Sequence, residues 1–147
     1  MTNNQTTSNN LPVTRIESNS AEINNSAEKI FTFLSNLNNL GKLMPEQVID
    51  WQSTEDSCSF TIKGMTDLTM KIVEKTPFSK IVIGPGEKTP FPFSLIISLD
   101  ELTEDFTNAQ IIFEAELNMM LQMMATNPLR NFVNMLVSKL RDLGDKL

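Results

Sequence analysis

Two spacings of hydrophobic residues alternate along the chain, and each switch marks a new kind of element. Over residues 13–23, Val13, Arg15 and Glu17 alternate with Thr14, Ile16 and Ser18, the two-residue period of a strand. Ala27, Ile30, Phe31, Leu34 and Leu37 then recur at helical spacing and form one apolar stripe. Asn25 reads as the N-cap of that helix, and Glu28, three residues on, completes a capping box. Asn38, Asn39 and Gly41 interrupt the stripe, and Pro45 closes the region. The spacing therefore predicts one helix and a short second one, divided near Ser35-Asn36.

From residue 47 to 118 the period returns to two. Strands are predicted over 48–54, 57–63, 68–75, 79–84, 93–99 and 109–117. In these strands Cys58, Phe60 and Ile62, then Met70 and Ile72, Ile81 and Ile83, Phe93, Leu95 and Ile97, and finally Ile111 and Phe113 share one face. The opposite face is mostly polar, with Thr61, Lys63, Lys71, Ser94, Ser98, Glu114 and Glu116. Glu55-Asp56, Gly64, Pro77, Gly84-Pro85-Gly86 and Glu104-Asp105 supply the turns. This is the pattern of an antiparallel sheet with one covered face.

The last change of period comes near residue 119. Met119, Met120, Met123 and Met124 precede Asn127-Pro128, which reads as an N-cap followed by a proline at the first helical position. Leu129, Phe132, Val133, Leu136, Leu140 and Leu143 then form a single stripe of a long amphipathic helix that Gly144 ends. Residues 1–10 contain only Met, Thr, Asn, Gln and Ser, and read as a flexible tail before one domain over 11–147.

Composition narrows the chemistry. None of the 147 residues is histidine or tyrosine, and there is one cysteine, Cys58. Catalytic triads and dyads that use a histidine base are excluded, as are histidine zinc sites and intrachain disulfides. Twelve basic against eighteen acidic residues give a net charge of −6, which disfavours binding to nucleic acid phosphates. No stretch approaches the roughly 18 apolar residues of a membrane span, and the first residues are not those of a signal peptide. Membrane insertion is not expected, and a cytoplasmic location is.

The order of strand, two helices, six-strand meander and terminal helix resembles the START-like, or SRPBCC, superfamily, which includes the major birch pollen allergen. The resemblance covers about residues 12–143. The methionine run with Asn127-Pro128-Leu129 and Asn131-Phe132-Val133-Asn134-Met135-Leu136 is most similar to small stand-alone bacterial members. It implies an α+β helix-grip fold: a curved antiparallel sheet of about seven strands wraps the long C-terminal helix, with two short helices after the first strand. It also implies a cavity between sheet and helix.

The expected ligand is a small hydrophobic molecule, lipid-like or polyketide-like. Its candidate wall is Phe60, Ile62, Met70, Ile72, Ile81, Ile83, Phe93, Leu95, Ile97, Ile111, Phe113, Phe132, Met135 and Leu136, with Met120 and Met123 at the entrance. The same residues can simply fill the interior as a core. No cofactor or metal is expected. The methionine run fits either an adaptable gate or partner patch, or a helix extension packed on the core, the latter being methionine's commoner use. The alternatives to ligand binding are a co-chaperone-like interaction module using that run, and an enzyme of the cyclase or dehydratase type. The enzyme would depend on Asp50, Asp67 or Glu46. Cys58 reads as a small buried apolar residue, and a monomer or a homodimer is expected.

Overall fold

The computed structural model describes residues 13–87, 89 and 91–147, so the expected tail over 1–10 lies outside the described residues. In chain order the elements are β1 (Val13–Glu17), β2 (Ala21–Ile23), α1 (Ala27–Leu34), α2 (Leu37–Leu40) and a 3-10 turn (Gly41–Leu43). Then come β3 (Val48–Ser53), β4 (Ser57–Ile62), β5 (Asp67–Thr76), β6 (Lys80–Pro85), β7 (Phe93–Thr103), β8 (Phe106–Glu116) and α3 (Met119–Gly144). All the strands pair antiparallel in one curved sheet of order β1-β8-β7-β6-β5-β4-β3, with β2 also on β8. This is the expected α+β helix-grip, with eight strands instead of about seven.

The extra strand comes from a break in the first one. From Glu17 to Ala21 the chain advances four positions while its partners on β8 recede three, from Ile112 to Ala109. One residue is therefore surplus, as in a bulge. Ser18 makes the break tolerable. Its amide donates to the Ile111 carbonyl at 2.8 Å, and its hydroxyl accepts from the Ile111 amide at 2.9 Å. The hydroxyl also donates to the Asn19 carbonyl at 2.8 Å. The buried polar groups of the corner are thus paired.

Both helix starts differ from the sequence expectation. Ser26, not Asn25, caps α1, its hydroxyl accepting from the Lys29 amide at 3.1 Å. The Asn25 side chain turns to the other end of the fold instead. Its amide donates to the carbonyls of Gly144 and Leu147, 3.0 Å each, where the end of α3 leaves acceptors unpaired. The long helix begins at Met119, not after Asn127. Asn118 caps it by accepting from the Leu121 amide at 2.8 Å, and Pro128 lies inside it. The methionine run is therefore the first two turns of α3.

The concave face of the sheet, α1, α2 and the inner stripe of α3 share one core. Ile81, Ile83, Ile97 and Ile111 from the sheet are fully buried, as are Ile30, Leu34, Leu37 and Leu40 from the short helices and Val133, Leu136 and Leu140 from α3. Hydrogen bonds tie α3 along the β1–β2 edge: the Asn19 amide donates to Asn134 Oδ1 and the Asn24 amide to Asp145 Oδ1, both at 2.7 Å.

Gly144 sets how closely the end of α3 approaches β2. A Cβ there would lie 2.6 Å from Cγ2 of Ile23, a fully buried and β-branched side chain. Gly144→Ala gains helix propensity of up to about 1 kcal/mol but forces the helix off Ile23. Overpacking costs typically about 1–3 kcal/mol. A net loss of stability in urea denaturation is expected, and a net gain would show that the helix end is not pinned.

Candidate functional site

Where the inner face of α3 passes over β4 to β8, the interior is almost filled. An apolar space of about 20 Å³ remains, lined by Phe60, Ile62, Leu68, Met70, Phe93, Leu95 and Phe113 from the sheet, Met65 and Thr66 from the β4–β5 turn, Phe91, and Leu129 and Phe132 from α3. Such a volume admits about one water molecule, and with Thr66 as the one polar liner among the described residues the space gives a water few partners. Phe93 stacks on Phe113 with ring centroids 5.7 Å apart, and Trp51 stacks on Phe60 at 5.3 Å, so aromatic rings floor and back the space.

Outside this space lies a groove of about 370 Å³ between three segments. Pro45 and Gln47 come from the link before β3, Ile62 from the end of β4, Lys63 and Met65 from the β4–β5 turn, and Pro128, Leu129, Asn131, Phe132 and Met135 from α3. Ile62, Met65, Leu129 and Phe132 line both the groove and the interior space, so they form the partition between them. The turn is held locally. The Ile62 amide donates to the Thr66 carbonyl at 2.9 Å and the Lys63 amide to the Gln47 carbonyl at 2.8 Å. Gly64 has φ +80°, a left-handed conformation that favours glycine.

Of the candidate wall, Phe60, Ile62, Met70, Phe93, Leu95, Phe113 and Phe132 border the interior space, and Met135 lines the groove. Ile81, Ile83, Ile97, Ile111 and Leu136 are fully buried in the packed core, and Ile72 is half-buried on β5. Met120 and Met123 line neither. With Met119 and Met124 they are 67–79% exposed, so these methionines are surface and not core filler. Asp50, Asp67 and Glu46 are exposed and border neither the space nor the groove. Asp100, Glu101, Glu104 and Asp105 are exposed along the β7–β8 hairpin. Among the described residues no three acidic or thiol groups gather as a metal site would need.

The wall residues of which spacing gives no sign are Pro45, Gln47, Met65 and Thr66. Alternation does put Leu68 on the inward face with Met70, and the proline-rich segment 89–93 that holds Phe91 reads as part of the cavity rim, whereas Lys63 and Asn131 fall on the polar faces of their predicted elements. Met65 carried a usable signal: it is a lone apolar residue in the Lys63-Gly64-Met65-Thr66 turn, where solvent exposure alone gives methionine no role.

Cys58 is buried beside Met70 on the pairing strand. Burial pushes its thiol up to about 12, partly opposed by a backbone hydrogen bond at Met70. The folded value lies above the ordinary one, so the neutral thiol favours the folded state at and below neutral pH, and that contribution is lost as pH rises toward 12. Native Cys58 is expected to resist thiol reagents at about pH 8 and to react fully in denaturant. Rapid labelling of the native protein would contradict this.

No protein-family model matches the chain, and no curated protein matches it in sequence. Solved structures match its fold. A START superfamily protein from Mycobacterium smegmatis aligns over 88% of this chain and 98% of its own, at 14% identity and a TM-score of 0.64. A point mutant of Thalictrum flavum norcoclaurine synthase, in complex with a transition-state analogue, aligns over 92% of this chain and 96% of its own, at 13% identity and a TM-score of 0.71. Zhui aromatase/cyclase from Streptomyces sp. R1128 aligns over 92% and 95%, at 11% identity and a TM-score of 0.68. The fold is START-like, the helix-grip arrangement of SRPBCC-type proteins. At these identities the likeness is one of fold. Among the described residues no helix is long and apolar enough to cross a membrane.

Proposed function

We propose that the protein binds a small hydrophobic molecule, which enters through the groove and lodges behind Phe132. The supporting observation is the shared partition. Ile62, Met65, Leu129 and Phe132 separate a 370 Å³ groove from an apolar interior space, and Phe132 is a half-buried ring standing between the two. Rotation of that ring joins them. The joined volume falls within the roughly 300–1,000 Å³ of small-molecule sites. The driving force is removal of apolar ligand surface from water, at about 25 cal/mol per Å² before association costs.

Among the described residues the interior lining carries one hydroxyl, Thr66, and no ionisable group. That lining supports retention of a ligand over acid–base chemistry on it, which needs a titratable group within reach of the reacting atoms. It also predicts modest selectivity among apolar ligands, since few groups fix orientation. Solvent extraction of the purified native protein followed by mass spectrometry is expected to release an apolar small molecule in stoichiometric amount. A clean extract from protein that also binds no added apolar compound would overturn the reading.

A further inference from the structure

We infer that the groove takes a single-chain amphiphile with a carboxylate head, whose tail passes Phe132 and whose head is held at Lys63. This deepens the apolar-ligand reading and rests on it.

The groove is amphipathic in a directed way. Its inner wall is the apolar partition that leads into the core, whereas its polar side chains are Gln47, Lys63 and Asn131. They come from three separate segments, the link before β3, the β4–β5 turn and α3, and only the tertiary fold brings them to one opening. Among the described residues Lys63 is the one charged liner of the groove. Among the described residues the ion pairs are Arg15 with Glu17 and Glu114, Lys80 with Glu74, and Arg141 with Asp142, so no carboxylate pairs with Lys63. Glu46 is the nearest acidic residue in sequence to this rim; it is exposed and does not line the groove. Other described lysines, such as Lys71 and Lys75, are also in no ion pair, so what sets Lys63 apart is its place on an apolar cleft, where its positive charge favours a negative ligand group.

The base of Lys63 is fixed while its end is free. Its amide is hydrogen-bonded to Gln47 at 2.8 Å, and the next residue is the left-handed Gly64. Its four-carbon stem can lie along apolar surface with the ammonium in water at the rim. An ammonium with the carboxamides of Gln47 and Asn131 offers one positive charge and several N–H donors. One charge matches a carboxylate. A phosphate monoester carries about −1.5 to −2 charges and is usually met by arginine forks or several cations, whereas the described residues of this rim supply one lysine.

The test compares decanoate, 1-decanol and decyl phosphate at neutral pH, each displacing an apolar dye from the native protein, from Lys63→Gln and from Lys63→Arg. Decanoate is expected to bind about fivefold more tightly than decanol, the scale of an exposed ion pair. Added salt should shrink that preference. Lys63→Gln should erase it and Lys63→Arg should keep it, with both variants melting as the parent does. Equal binding of decanoate and decanol, a preference that survives Lys63→Gln, or tighter binding of decyl phosphate would each overturn the carboxylate assignment while leaving the apolar site standing. Binding of none of the three would overturn the apolar site as well.

Discussion

Leu136→Ala is expected to lower the unfolding free energy by about 3 kcal/mol, within the roughly 2–5 kcal/mol found for buried leucine truncation. Leu136 is fully buried on the face of α3 that meets the sheet. Val133, three residues before it, and Leu140, four residues after it, are also fully buried, so the helix cannot tilt locally to close the hole. Across the interface the sheet presents stiff β-branched side chains such as Ile97 and Ile111, both fully buried. They have few alternative rotamers with which to fill the space. A loss of this size is a large part of the about 5–15 kcal/mol that holds a domain folded. Urea denaturation at unchanged m-value measures it. A loss below about 1 kcal/mol would mean that α3 lies on the sheet without being gripped.

Phe132→Ala is expected to tighten binding of an apolar dye by about tenfold, although it weakens the fold. The ring is part of the partition between groove and interior. While it stays in place the interior offers about 20 Å³, so a ligand first has to displace it. When only a fraction of molecules are open, apparent affinity falls by that fraction, and deleting the gate removes the penalty. The stability cost should be about 1–3 kcal/mol, less than for a fully buried phenylalanine, because Phe132 is only half-buried. Phe132→Trp should act in the opposite direction on affinity. Trp51, the only tryptophan of the parent chain, stacks on Phe60 in the wall and gives an independent fluorescence signal for filling in Phe132→Ala. Unchanged affinity in both variants would remove Phe132 from the entry path.

Much of the fold is legible in the sequence because burial on one face of a sheet writes itself as alternation. Phe93, Leu95 and Ile97 point inward in the structure as their spacing requires, with Ser94, Ile96 and Ser98 between them less buried. The failures have separate physical causes. Ser18 lies in a strand by period, but its hydroxyl pairs with the Ile111 backbone and splits that strand in two. Asn127-Pro128 is a strong start signal, yet Asn118 caps an earlier start, and burial of Ala125, Leu129 and Val133 carries the helix across a proline that costs about 3 kcal/mol in isolation. The strands β7 and β8 run on to Thr103 and back from Phe106, because hairpin pairing continues beyond the core where side chains are polar.

The candidate site was harder to see than the fold. Interior liners such as Phe60 and Phe113 follow from strand period alone. The groove does not, since Gln47 and Met65 lie in a link and a turn with no period, Lys63 reads by period as the outward end of a strand that in the structure stops at Ile62, and all three meet α3 only through tertiary packing. Methionine spacing likewise carries no sign of whether a partner covers it. Met120 and Met123 belong to the helix but not to its buried stripe, and that follows only from where α3 begins.

The central claim is that apolar ligands enter at the groove and not at the methionine surface. An equilibrium titration with an environment-sensitive apolar dye separates the two. It should be run on the parent, on Met65→Asp in the groove wall, and on Met120→Ser/Met123→Ser on the exposed turns of α3. Met65 is 48% exposed, so its replacement is expected to leave the fold intact. The predicted result is one saturable site per chain, weakened at least about tenfold by Met65→Asp through a carboxylate placed against the apolar tail, and unchanged in the double serine variant. Absence of saturable binding, or binding lost in the serine variant and kept in Met65→Asp, would contradict the account.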